Sequence, residues 1–147
     1  MKSRTKARSL ALQVLYEVDL SGHMPGEVFE EHLNTTHLED ELLEFSRQLI
    51  FGVYPIMQAL DSFIAQHAPE WPLDQVAVID RNIIRMALWE FAVEGCTPIK
   101  VAINEAIELA KMFGSDSSPR FVNGVLGSLA ARQNEINVAF GPKPDKQ

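Results

Sequence analysis

The sequence predicts an all-α protein that forms one compact domain, and three observations carry that expectation. Apolar residues recur at three- and four-residue steps along most of the chain up to about Ala131, and strand-like alternation is not evident. Two segments open on a hydroxyl residue followed by proline, Thr97-Pro98 and Ser118-Pro119. That pairing suits a helix start, because it joins an N-cap oxygen to a residue whose missing N–H costs nothing there. At 147 residues the chain can bury roughly 68% of its unfolded surface, so it needs neither metal nor disulfide to fold.

The first helix is expected from Ser3 to Leu20, where Ala7, Leu10, Ala11, Val14 and Val18 form an apolar stripe and Ser21-Gly22 supplies the stop. Arg4 and Arg8 lie four apart and share a face, whereas Lys6 points elsewhere. Cations in a first helical turn oppose the macrodipole by about 0.3 to 1 kcal/mol, a broken local rule that points to an anion as partner. A short helix follows from Pro25 to Leu33. Leu38 to Ala68 keeps helical period through Leu42, Phe45, Leu49, Val53, Ile56, Leu60, Phe63 and Ile64, and Pro55 is placed to kink or divide it.

The next helix is expected after Pro72, reaching about Val93, and from Ile79 to Phe91 it is apolar on most sides, as a helix covered from several directions is. Arg85 inside that run requires a carboxylate, with Glu105 the first candidate and Glu90 the second. Thr97 and Pro98 then begin a helix that turns Ile99, Ile103, Ala106, Ile107 and Ala110 inward and Asn104, Glu105, Glu108 and Lys111 mainly outward. Gly114 reads as a left-handed stop, and Ser118-Pro119 as the start of a last helix whose Phe121, Val122, Val125 and Leu129 are spaced for burial. The elbow Ser115 to Ser118 is left exposed between two anchored helices. The domain spans residues 1–132, and Gln133 to Gln147, with Gly141, Pro142 and Pro144, reads as a disordered tail.

Charge is segregated along the chain. The net charge is -7, yet the first sixteen residues hold Lys2, Arg4, Lys6 and Arg8 and no acid. A basic tip is joined to an acidic body; the alternative for the tip is a solvated, frayed terminus. The single cysteine, Cys96, cannot form an intramolecular bridge and no secretory leader is apparent, so a reducing cytoplasm is expected. No run is expected to approach the roughly 20 apolar residues of a membrane span, the most apolar stretch being broken by Asp80, Arg81 and Arg85, and no membrane partner is expected.

Catalytic patterns are sparse. His23, His32, His37 and His67 show no metal-ligand spacing, a Gly-rich phosphate loop is not present, and no serine or cysteine sits in a nucleophile motif. The expectation is a binding protein without catalysis, metal or cofactor. Leu109 to Leu126 has some of the pattern of a DNA-binding helix-turn-helix, with Ala110, Gly114 and Val122 near that motif's small and apolar positions. Its second helix commits Phe121, Val122, Val125 and Leu126 to packing, however, and the basic first helix is left unexplained.

The segments DRNIIRMALWEF (Asp80 to Phe91), KVAINEAIELAKMFG (Lys100 to Gly114) and RFVNGVL (Arg120 to Leu126), after the basic helix RSLALQVLYEVD (Arg8 to Asp19), resemble the NusB family of bacterial transcription antitermination factors. The resemblance spans about Arg4 to Ala131. A similar domain fronts some ribosomal RNA methyltransferases, but those carry a catalytic domain after it, for which this chain ends too soon.

The resemblance implies two packed three-helix units and a role without catalysis. It also implies pairing with NusE, a small-subunit ribosomal protein, and joint binding of boxA-type RNA within a larger antitermination complex with RNA polymerase. Some members form homodimers. Single-stranded RNA is held by cations on phosphates and by polar or aromatic groups on bases. Arg4, Lys6 and Arg8 are expected to supply the cations with Gln13 further along, and Ser117, Ser118, Arg120 and Phe121 the elbow's share; Phe121 has core packing as its alternative. Tyr16, Asp74 and Asp80 match the family's NusE-facing surface. The chain departs from the family pattern at Thr5, a position often basic, and at Asp116, one position earlier than the family's acid.

Overall fold

The computed structural model describes residues 2–69, 72 and 75–132, and among them it is all-helical with no strand. The order is α1 (Ser3–Ser21), α2 (Pro25–Leu33), α3 (Asp40–Val53), a 3-10 turn (Tyr54–Ile56), α4 (Met57–His67), α5 (Val78–Leu88) extended by a π-helical turn (Trp89–Glu94), α6 (Ile99–Phe113) and α7 (Ser118–Ala130). Pro55 divides the long apolar segment, as its blocked N–H requires. The expected tail, residues 133–147, lies outside the described residues.

One unit packs α1 against α2 and α3; the other packs α5 against α6 and α7, with α4 alongside α5 and α7. The units meet where α1 lies on α5 and touches α6. Being covered on several sides, α1 buries not only its expected stripe but also Thr5, Arg8, Ser9, Leu12 and Leu15. Leu12, Leu15, Leu49, Ile50, Leu60, Ile64, Ile83, Ile84, Met86 and Leu88 form the middle of a continuous core.

Asp40–His67 is long and apolar enough, by length and composition, to cross a membrane. This corrects the expectation that no run approaches a span; a third of its most apolar stretch is buried, with Leu49, Ile50, Val53, Leu60, Phe63 and Ile64 withdrawn into the core.

Several local expectations are corrected. Helix α5 starts at Val78 rather than just after Pro72, because the Pro72 carbonyl closes a turn with the Gln75 N–H at 3.1 Å. Thr97 does not cap α6: its hydroxyl donates to Glu90 Oε1 at 2.9 Å, and Pro98 occupies the cap position. Gly114 is extended (φ -93°, ψ -172°), not left-handed. Glycine is required there for space, since a Cβ would overlap the Ser118 side chain and press on the Ala110 carbonyl. The left-handed stops are Gly22 (φ 77°), whose N–H bonds Val18 O at 2.8 Å, and Gly95 (φ 78°) after the π turn.

The expected Arg85–Glu105 pair does not form. Arg85 binds Asp61 through two hydrogen bonds of 2.7 and 2.6 Å and Asp19 through one of 2.9 Å, tying α5 to α4 and α1. Arg81 and Asn82 also donate to Asp19, at 3.1 and 3.0 Å. Glu105 and Glu90, the two acids expected to serve Arg85, both serve Arg8: Glu90 takes a two-point bond of 2.7 Å each, and Glu105 lies 3.4 Å from Arg8 Nη1. Burial works against the charge on each guanidinium, but the facing carboxylates outweigh it and raise both pKa values.

Candidate nucleic-acid and partner interface

The start of α1 presents a cationic surface. Lys2, Arg4 and Lys6 are exposed, and Arg4 rests 4.4 Å above the Phe45 ring of α3, which holds its charge at the surface. Lys2 and Thr5 form one wall of a 680 Å³ cleft whose other wall is Asn104, Glu105, Glu108, Lys111 and Met112 of α6. Arg8 is the correction in this group. Only 4% exposed and neutralised by Glu90 and Glu105, it cross-links α1 to the π turn and α6 and is not available to phosphate.

Serine chemistry shapes the elbow between α6 and α7. Ser115, Asp116 and Ser117 are exposed, as is Arg120 on the first turn of α7, while Phe121 is half-buried against the core. Ser118 is the second correction. It is 1% exposed; its hydroxyl donates to Asp80 Oδ2 at 3.0 Å and accepts from the Ser115 N–H at 2.9 Å, so it fixes the elbow instead of facing solvent. Asp80, 6% exposed, is therefore an internal anchor for the elbow and not a surface acid, the third correction. Its Oδ1 has no hydrogen-bond partner among the described residues, and burial raises its pKa, with the Ser118 bond offsetting part of that rise. Asp74 lies outside the described residues.

Next to the elbow is an apolar groove of 730 Å³, lined by Gln13, Tyr16, Leu20, Val78, Ile79 and Phe113 among others. Tyr16 is 37% exposed on its wall. Phe113, the last residue of α6, connects the elbow to the Gln13–Tyr16 face of α1. The expected residues that are described thus gather on two adjoining surfaces, except Arg8, Ser118 and Asp80, which lie beneath them. Thr36 and His37 are surface residues of the same region that no sequence motif marks, their only signal a place in a polar connection; Lys111, inside the KVAINEAIELAKMFG segment, is legible only as an outward-facing residue.

Cys96 is exposed beside Glu94, whose carboxylate raises the thiol's pKa and disfavours the reactive thiolate. Among the described residues no group of three or more His, Cys, Asp and Glu is placed to hold a metal ion.

Fold and surface together define a helical recognition module with a cationic helix start, a serine elbow and an apolar groove. Residues 5–131 match the NusB family. The chain is 44% identical over 134 residues to the transcription antitermination protein NusB of Roseiflexus sp. strain RS-1, covering 90% of this chain and 94% of the relative. It is 48% identical over 128 residues to that of Dehalococcoides mccartyi, covering 87% and 90%. A solved complex of antitermination factors NusB and NusE with double-stranded RNA contains a chain similar to it at a TM-score of 0.79 and 27% identity, covering 90% of this chain and 98% of that one. The chain belongs to the NusB family.

Proposed function

We propose that this chain is a transcription antitermination factor that binds boxA-type RNA together with a NusE-type ribosomal protein and acts by binding, without catalysis, in the cytoplasm. The observation that carries the reading is the exposed cationic start of α1, with Lys2, Arg4 and Lys6 at the surface of a family member whose net charge is -7. An acidic chain keeps such a cluster when an anion is its partner. Phosphates lie along Lys2, Arg4 and Lys6; Gln13, Ser117, Arg120 and Phe121 meet bases and backbone beyond them. The NusE-type protein takes the groove at Tyr16, and the pair joins a larger antitermination complex with RNA polymerase. The solved complex of a relative with NusE and double-stranded RNA supports both partners.

Titration of boxA-type RNA with and without the NusE-type protein tests this. Binding that tightens when NusE is present is expected. A NusB-like scaffold without RNA contact predicts no RNA binding under either condition. Duplex RNA and duplex DNA in the same series separate strand preference from the helix-turn-helix alternative, which requires tight binding to the DNA. Sedimentation of the free chain reports whether a homodimer competes.

A further inference from the structure

A third cleft lies between α1 and the connection from α2 to α3. Its volume is 270 Å³, close to the lower end of small-molecule sites at roughly 300 Å³. Lys6, Leu10 and Gln13 form one wall; His32, Thr35, Thr36, His37 and Leu38 form the other. Lys6 and Gln13 also belong to the proposed RNA path, and Gln13 and His32 are shared with the apolar groove, so this cleft sits between the cationic tip and the partner surface.

Its chemistry is that of a nucleobase seat. Half-buried Leu38 offers apolar contact to a ring face, with Leu10 buried beneath the cleft. Polar groups surround them: the Gln13 amide, held by a 3.2 Å bond from its nitrogen to Ser9 O, retains a carbonyl acceptor; the Thr35 hydroxyl, which donates to His32 O at 3.4 Å, retains an acceptor; and the Thr36 hydroxyl and the exposed His37 imidazole add further polar groups. The connection is preformed. Thr35 and Thr36 N–H groups close on His32 O and Leu33 O at 3.2 and 3.5 Å, and His32 Nε2 is held 3.1 Å from Glu17 Oε1. Lys6 is the one lysine or arginine lining the cleft, and the acids Glu39 and Asp40 that follow do not line it. One phosphate at Lys6 and one base in the cleft match this distribution better than a run of phosphates.

We infer that the cleft formed by Lys6, Gln13, Thr36 and His37 is a subsite for one unpaired nucleotide of the bound RNA, reading its base. The subsite rests on the RNA reading proposed above and extends the RNA path from the tip of α1 toward the α2–α3 connection.

The test measures affinity for the single-stranded boxA-type RNA, with the NusE-type protein present, across a salt series. Wild type is compared with a Thr36→Ala/His37→Ala double variant, with Gln13→Ala on the opposite wall and with Lys6→Ala; thermal melts confirm that each variant is folded. The double variant is expected to bind about 10-fold more weakly with an unchanged salt slope, as loss of base contacts does. Gln13→Ala weakens binding in the same way, and Lys6→Ala also reduces the slope by about 0.7, one phosphate's share on a single strand. A double variant within about twofold of wild type, or one whose loss is carried by the salt slope, overturns the subsite and leaves the RNA reading standing. A wild-type chain that binds no RNA overturns both.

Discussion

Arg8 and Arg85 hold the two halves of the molecule together through guanidinium–carboxylate pairs; Arg8–Glu90 is almost fully enclosed, whereas Arg85's partners Asp19 and Asp61 are partly exposed. Removing one member of such a pair strands the other in the core, so Arg8→Ala is expected to cost about 3–5 kcal/mol in urea denaturation. A loss below about 1 kcal/mol, the worth of a surface pair, would show that Arg8 is solvated. Asp19 and Asp80 respond to pH with opposite sign. Burial raises the Asp19 pKa, but bonds from Arg81 and Asn82 and the charge of Arg85 outweigh it and hold it below 3.8. The stability it contributes is present above about pH 4 and is lost as pH falls through its folded value, so Asp19→Asn should destabilise at pH 7, with the difference shrinking as pH falls below 4. Asp80, raised by burial, contributes stability below about pH 4 that is lost as pH rises through its folded value. Asp80→Asn should therefore compare better with wild type at pH 7 than below pH 4, in melting midpoints measured across that range. A pH-independent difference for either variant would contradict these assignments.

At the scale of elements, sequence periodicity locates the long helices among the described residues, because each has an apolar face that repeats at helical spacing, though it places the start of α5 too early. It does not locate the ionic pairs, whose members lie 82, 66 and 24 residues apart. Nothing local in the chain says which buried carboxylate meets which buried guanidinium. Glu90 and Glu105 are legible as carboxylates a buried arginine could use; that they serve Arg8 follows only once α1 is laid against the π turn and α6. The elbow shows the same limit. Exposure of Ser115 to Ser117 follows from its place between two helices, whereas the inward turn of Ser118 depends on Asp80 across the fold. Gly114 permits that turn. Gly114→Ala would push a methyl into Ser118 and is expected to destabilise by about 1–3 kcal/mol, as overpacking does, and to weaken RNA binding beyond what the melting shift explains.

For the whole molecule, the segregation of charge and the helical architecture are both evident in the sequence, and the family follows from motifs spread over most of its length. The partition of the site residues is not. Arg8, Ser118 and Asp80 are polar residues whose exposure composition suggests and three-dimensional packing reverses, leaving Lys2, Arg4, Lys6 and Arg120 as the exposed cations of the proposed RNA surface. Contact with three or four phosphates by these groups gives a slope of log K against log salt near -2 to -3, at roughly 0.7 per phosphate on a single strand. The affinity of the chain for boxA-type RNA with the NusE-type protein, measured across a salt series, therefore tests the central claim most directly. A slope of about -2 to -3 that becomes shallower in Arg4→Ala is the predicted result, and a flat dependence, unchanged by that substitution, would contradict it.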